Sequence, residues 1–102
     1  MLTHDQIISL SDILHLMGEP NRLKLLVACL DGAKSVSELA QQLQLSVPLA
    51  SHHLSLLRSA RLLVANREGK HIYYSIYDAH VRCILDDMFK HFTEETDINM
   101  NV

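Results

Sequence analysis

The chain has 102 residues, of which 48% are hydrophobic and 21% charged, with two cysteines and a formal net charge of −3. That suffices for one folded domain with one core and is too apolar for a disordered segment. No apolar run nears the roughly 18 residues of a membrane-spanning helix, and the opening MLTHDQIISLSD has neither the basic start nor the apolar core of a signal peptide, so a soluble cytoplasmic protein is expected.

The net acidity argues mildly against nucleic-acid binding, because phosphate attraction dominates affinity. Its distribution argues the other way. Residues 47–77 carry Arg58, Arg61, Arg67 and Lys70 against one acid, Glu68, whereas residues 78–102 carry six acids against Arg82 and Lys90. A locally basic segment matters more than the total.

In chain order, residues 5–17 place apolar side chains at 7, 10, 13, 14 and 17, a helical period. Gly18 ends that segment and Pro20 suits the start of the next. The second helix, Asn21–Leu30, is apolar nearly all round and is expected to be the most buried. Ser35 and Glu38 form a capping box ahead of Leu39, Ala40 and Leu43. Residues 44–46 make a tight connection to a helix that Ser46 caps, with Pro48 in its first turn, and that runs to about Arg61. Its apolar side is Leu49, Ala50, Leu54 and Leu57; its other side shows Ser51, His52, Ser55 and Arg58. Two short helices with a tight connection, the second polar-faced, predict a helix-turn-helix over 35–61.

Leu62–Val64 and His71–Ile76 read as strands around the turn segment Asn66–Lys70, where Gly69 supplies a positive φ. This basic-tipped hairpin, 62–76, predicts a wing. A last helix spans about 78–96, and the tail DINMNV is expected to fray. Residues 1–102 thus read as a single α+β domain of winged helix-turn-helix type, with 1–17 and 78–96 as dimer-forming helices.

A helix fits the DNA major groove. Ser51, His52 and Ser55 are candidates for reading base edges, with Ser46 at the helix start. Arg58 and Arg61 lie where phosphate is closer, and Arg67 and Lys70 on the wing can reach the minor groove or backbone. His53 adjoins Leu54 at the packed edge and is read as a structural or network residue.

The last helix holds Asp78 and His80, then His91 eleven residues later, then Glu94. Eleven residues are close to three turns, so the two histidines share a face but stand about 16 Å apart along the axis. One chain cannot bring them to one ion. An antiparallel second copy sets Asp78 and His80 beside the other copy's His91 and Glu94, giving two nitrogen and two oxygen ligands at each of two sites. Four such ligands suit tetrahedral zinc. Ile84 and Met88 lie between the pairs, at the seam. Asp78 is also a natural helix cap, and Asp87 or Glu95 can replace Glu94 or accept from an imidazole N–H. A set of four protein ligands leaves no open position for substrate. With no nucleophile–base–acid set elsewhere, neither an enzyme nor a small organic substrate is expected.

These residues together resemble the ArsR/SmtB family of bacterial metal-sensing repressors. The likeness runs from about Ile13 to Glu94 and is strongest at Glu19-Pro-Asn-Arg-Leu23, Ser37-Glu-Leu-Ala40, Ser51-His-His-Leu54 with Leu56-Leu57, and Arg67-Glu-Gly-Lys70 leading to Tyr73-Tyr74. The resemblance implies a homodimer that binds an inverted-repeat operator in double-stranded DNA when metal-free. It also implies release on binding Zn²⁺ or Co²⁺ through Asp78, His80, His91 and Glu94. The thiolate pair that other members carry near Ser35–Leu43 is absent here, which argues against sensing of arsenic, lead or cadmium. Ni²⁺ would want more ligands, and His4 can offer one.

Cys29 and Cys83 both lie in apolar segments and read as buried free thiols. Relatives that sense oxidants or persulfide use two cysteines on the corresponding helices, so a redox switch is one alternative. A partner-binding winged module without metal sensing is another.

Overall fold

A computed structural model describes residues 1–100, with side chains to Glu94. The order is α1 (His4–Met17), α2 (Pro20–Ala28), β1 (Lys34–Ser35), α3 (Val36–Leu43), α4 (Val47–Ser59), β2 (Leu63–Glu68), β3 (His71–Ile76) and α5 (Ala79–Met100). Three antiparallel strands form a sheet in the order β1-β3-β2. This is the α+β winged helix-turn-helix architecture.

Most helix starts follow from local hydrogen bonding. Thr3 caps α1 in a box with Gln6, and Ser35 caps α3 in a box with Glu38. Ser46 Oγ accepts from the Leu49 amide at 3.2 Å, and Asp78 Oδ1 accepts from the Val81 amide at 2.9 Å. Each bond satisfies an amide that the helix cannot pair internally. Glu19 caps α2, its carboxylate accepting from the Arg22 amide at 2.9 Å, with Pro20 next. Glutamate is not among the favoured cap types; the helix nonetheless begins at Pro20, one residue before the expected Asn21, and ends at Ala28, short of the expected Leu30.

The core gathers Leu25, Leu26 and Cys29 of the α2 segment, Leu39 of α3, Leu54 and Leu57 of α4, Leu62, Leu63, Tyr74 and Ile76 of the sheet region, and Leu85 of α5. Helix α4 buries Ala50, His53, Leu54 and Leu57, a single stripe at helical spacing. The expectation that α2 is the most buried helix is corrected: it buries Leu25 and Leu26, whereas α4 buries Ala50, His53, Leu54 and Leu57, and Leu23 and Val27 of α2 face outward. Leu49 is likewise exposed, because it lies about a quarter turn around α4 from the inward stripe of Ala50, Leu54 and Leu57. Cys29 is buried as expected, but Cys83 is exposed, since Val81 and Leu85 present the core-facing side of α5.

Strand β1 was not expected. It is two residues long, too short for a periodic signal, and exists because Lys34 and Ser35 pair with Tyr74 and Tyr73. Strand β2 extends to Glu68, past the expected end at Val64, because its backbone pairs with β3 out to Glu68↔His71. The turn is therefore two residues, Gly69 and Lys70, with Gly69 at φ +62, the glycine-first arrangement favoured in tight hairpins. Helix α5 continues to Met100, beyond the expected end near 96. The expected fraying of the tail falls partly on residues 101–102, outside the described residues.

In a single protomer, α1 buries no residue fully. Its Ile7, Ile8, Leu10 and Leu14 are exposed, as are Ile84, Met88, Phe89 and Phe92 on α5.

Candidate nucleic-acid interface and metal half-sites

Helices α3 and α4 are joined by Gln44, Leu45 and Ser46. Gln44 takes the left-handed conformation at φ 57 and ends α3, and its amide returns to the Gln41 carbonyl. This tight reversal brings α4 back to pack against α3. Because Ala50, His53, Leu54 and Leu57 face inward, the residues between them face outward. Ser51, His52, Ser55 and Arg58 are all exposed, and positions 51, 55 and 58 form one stripe at helical spacing. That stripe is the one the sequence predicts. Ser46 is exposed as well, with its hydroxyl engaged in the cap.

Two of the other basic candidates sit differently from expectation. Arg61 is not on α4, which ends at Ser59. It occupies the turn into β2 with φ 60, a conformation adopted to reverse the chain, and its amide donates to the Arg58 carbonyl at 3.0 Å. There it borders a cleft of about 370 Å³ shared with Asp78 and His80. Arg67 lies within strand β2, paired with Ile72, not in the turn. Its Nε donates to the Gly69 carbonyl at 3.3 Å, which folds the guanidinium along the wing tip beside exposed Lys70.

At the start of α5, Asp78 uses its two carboxylate oxygens differently. One caps the helix, and the other, Oδ2, lies 3.5 Å from His80 Nδ1. The Val81 amide first, and His80 after it, hold the Asp78 carboxyl below its ordinary value, so it is an anion ready to accept a cation. Both side chains are exposed, His80 at 93%. His91 and Glu94 are exposed on the same helix more than three turns away. Among the described residues of one protomer, no three His, Cys, Asp or Glu side chains converge as a metal-binding group. The nitrogen and oxygen donors suit zinc or cobalt in type, and each end of α5 offers two of them. Glu95, the alternative ligand, has its side chain outside the described residues.

The Cys29 thiol is pushed up to about 11, first by burial. It lies at the C-terminal cap of α2 in the core, while Cys83 stands outside on α5. No described helix is long and apolar enough to cross a membrane.

A three-stranded sheet whose β2–β3 hairpin forms a wing with a two-residue turn, packed on a helix pair whose second helix turns a polar stripe outward, defines a winged helix-turn-helix module. Comparison with known proteins gives the particular lineage. The family described as "Bacterial regulatory protein, arsR family" matches residues 19–64. The HTH-type transcriptional regulator NmtR of Mycobacterium tuberculosis is 36% identical over 78 residues, covering 76% of this chain and 65% of that protein. The transcriptional repressor SmtB homolog of Synechocystis is 31% identical over 94 residues, covering 92% of this chain and 71% of its own length. Among solved structures, HlyU from Vibrio cholerae superposes with a TM-score of 0.81 at 25% identity, covering 89% of this chain and 99% of that one. The chain belongs to the arsR family of bacterial regulatory proteins. It spans about two thirds of the length of the first curated relatives it matches, 65% and 66%. A family of regulators agrees with the expectation of a non-enzymatic protein.

Proposed function

We propose that this chain is a metal-responsive transcriptional repressor. It binds an inverted-repeat operator as a metal-free homodimer and releases it when Asp78 and His80 of one protomer, with His91 and Glu94 of the other, take up zinc or cobalt. The observation that carries this reading is the placement of Asp78 Oδ2 and His80 Nδ1 3.5 Å apart at one end of α5, with a second N/O pair at its far end. Two half-sites on one helix are completed twice by an antiparallel copy. The uncovered apolar faces of α1 and α5 support the same pairing, since exposed apolar surface of this kind marks an interaction site.

On the DNA side, Ser51, His52 and Ser55 read base edges, with Ser46 at the helix start. Arg58, Arg67 and Lys70 hold phosphate or the neighbouring minor groove. Arg61, placed in the turn beside Asp78 and His80, contributes from the edge of this surface. Release requires that metal favour one dimer geometry over another. Operator half-sites recur about 34–36 Å apart, so a small rotation of the two protomers misplaces both recognition helices. When bound, the metal would tie Asp78 and His80 at the start of one α5 to His91 and Glu94 of the second copy's α5.

The redox alternative loses support from the burial of Cys29 and its raised thiol pKa, because the thiolate is the reactive form. Zinc, cobalt and nickel, compared in titrations of the dimer on labelled operator, test the main reading. Release by zinc or cobalt at micromolar or lower free metal is expected; unchanged operator affinity with metal bound sinks the switch.

A further inference from the structure

Arg22 belongs to the first turn of α2, but its side chain serves two other helices. Its Nε donates to the Leu16 carbonyl at 2.7 Å, in the last turn of α1, where helix carbonyls have no partner of their own. Its Nη1 lies 3.3 Å from His53 Nδ1. Its backbone amide meanwhile donates to Glu19, the cap of α2. One guanidinium thus joins the end of α1, the start of α2 and the middle of α4.

The contact with His53 is directional. Arginine has no acceptor and keeps its charge, so the Nδ1 facing it must carry the lone pair, which places the ring N–H on Nε2. His53 is only 8% exposed, and its neighbour His52 is on the outward stripe, with ring centroids 5.8 Å apart. The other inward residues of α4, Ala50, Leu54 and Leu57, are apolar, and apolar contact has no preferred direction. Among the described residues, the Arg22–His53 contact is the one side-chain hydrogen bond that ties α4 to another element. Binding groups need placement within about 0.5 Å and 10–20°, a precision that directional contacts supply and a greasy stripe does not.

We propose that Arg22 and His53 are a positioning pair. They fix the rotation and translation of α4 relative to the end of α1, and so the fit of Ser51, His52 and Ser55 to operator bases. This rests on the DNA-binding reading above. Neither residue touches DNA; both act through the pose of α4. Because α1 carries an uncovered apolar face assigned to the dimer seam, the pair also links the arrangement of the two protomers to the recognition helix.

The test uses the full chain, metal-free, with a palindrome selected by the wild-type protein from random duplex DNA and an unrelated duplex. His53→Leu keeps the buried volume and removes the acceptor; His53→Gln restores an acceptor. His53→Leu is expected to melt within a few degrees of wild type and stay dimeric. Hydrogen exchange should quicken in α4 and in the last turn of α1. Operator affinity should fall about tenfold, the scale of a hydrogen bond to a charged group, with affinity for the unrelated duplex within about twofold. His53→Gln should recover most of the operator affinity. Should His53→Leu not fold, Arg22→Lys, which reaches one acceptor but not both, is read in the same assays with the same expectation. Wild-type operator affinity in the variant that lacks the contact overturns the pair. So does a His53→Gln protein as weak as His53→Leu. If wild type itself prefers no sequence, the DNA-binding reading fails and the proposal falls with it.

Discussion

Asp78 and His80 are joined at the start of α5 by a 3.5 Å contact between Oδ2 and Nδ1, while the other Asp78 oxygen caps the helix. The two oxygens separate the observed cap from the proposed metal contact. Asp78→Ala removes both the cap and the proposed ligand. Asp78→Asn keeps an acceptor for the Val81 amide and loses the anion. Thermal melting should drop by a few degrees in the alanine variant and little in the asparagine variant. Zinc affinity should fall at least tenfold in both. An asparagine variant with native zinc affinity would remove Asp78 from the ligand set.

Splitting the site between two copies makes a prediction that no single-chain site shares. A chain carrying Asp78→Ala and His80→Ala should bind no zinc as a homodimer, and neither should one carrying His91→Ala and Glu94→Ala. Mixed after unfolding and refolding together, they form heterodimers with one intact site, Asp78 and His80 from one chain and His91 and Glu94 from the other. Native mass spectrometry should find one zinc per heterodimer. Zero, with the heterodimer present, refutes the antiparallel arrangement.

The outward face of α4 and the wing are separable by salt. Arg58→Ala and Arg67→Ala should each weaken binding to every duplex and reduce the slope of log affinity against log salt by about one. Ser51→Ala or Ser55→Ala should leave the slope unchanged and relax sequence preference by about 1 kcal/mol or more at a base. A slope unchanged by both arginine variants would place the phosphate contacts elsewhere.

Acid stability follows from the caps. Glu38 Oε1 accepts from the Ser35 amide at 3.1 Å, and that bond, the largest cause, holds the carboxyl below its ordinary value. Glu19 is lowered in the same way by the Arg22 amide. A folded value below the unfolded one stabilises above the unfolded titration, near pH 4.3, and the gain disappears as pH falls through the folded value. Melting temperature should therefore decline below about pH 5. Glu38→Gln, which keeps an acceptor without a titrating charge, should flatten that decline without abolishing it, since Glu19, Asp31 and Asp78 are lowered as well. An unchanged pH profile would show the box to be energetically silent.

The two cysteines should differ sharply in a thiol-reagent time course. Cys83 is exposed and reacts first; Cys29, in the core with its thiol pushed up to about 11, reacts only as the protein unfolds. Rapid native labelling of both thiols would reopen the redox reading.

Local chemistry was legible in the sequence. The capping box at Ser35 and Glu38, the Ser46 cap, the inward Leu54 and Leu57 against outward Ser51, Ser55 and Arg58, and the strand His71–Ile76 all depend on neighbours a few residues away, and the chain states those directly. The spacing of Asp78, His80, His91 and Glu94 was also legible, because a helix converts sequence separation into distance and direction. Tertiary structure decided what depends on distant partners. Strand β1 exists only because Tyr73 and Tyr74 pair with it. Strand β2 runs to Glu68 because β3 continues opposite it. Leu23, Val27 and Leu49 are apolar by composition but outward by packing. Arg61 left the recognition helix for the turn beside Asp78, where a φ of 60 reverses the chain. The contact between Arg22 and His53 spans 31 positions, and no periodicity reports a meeting that only the folded chain brings about.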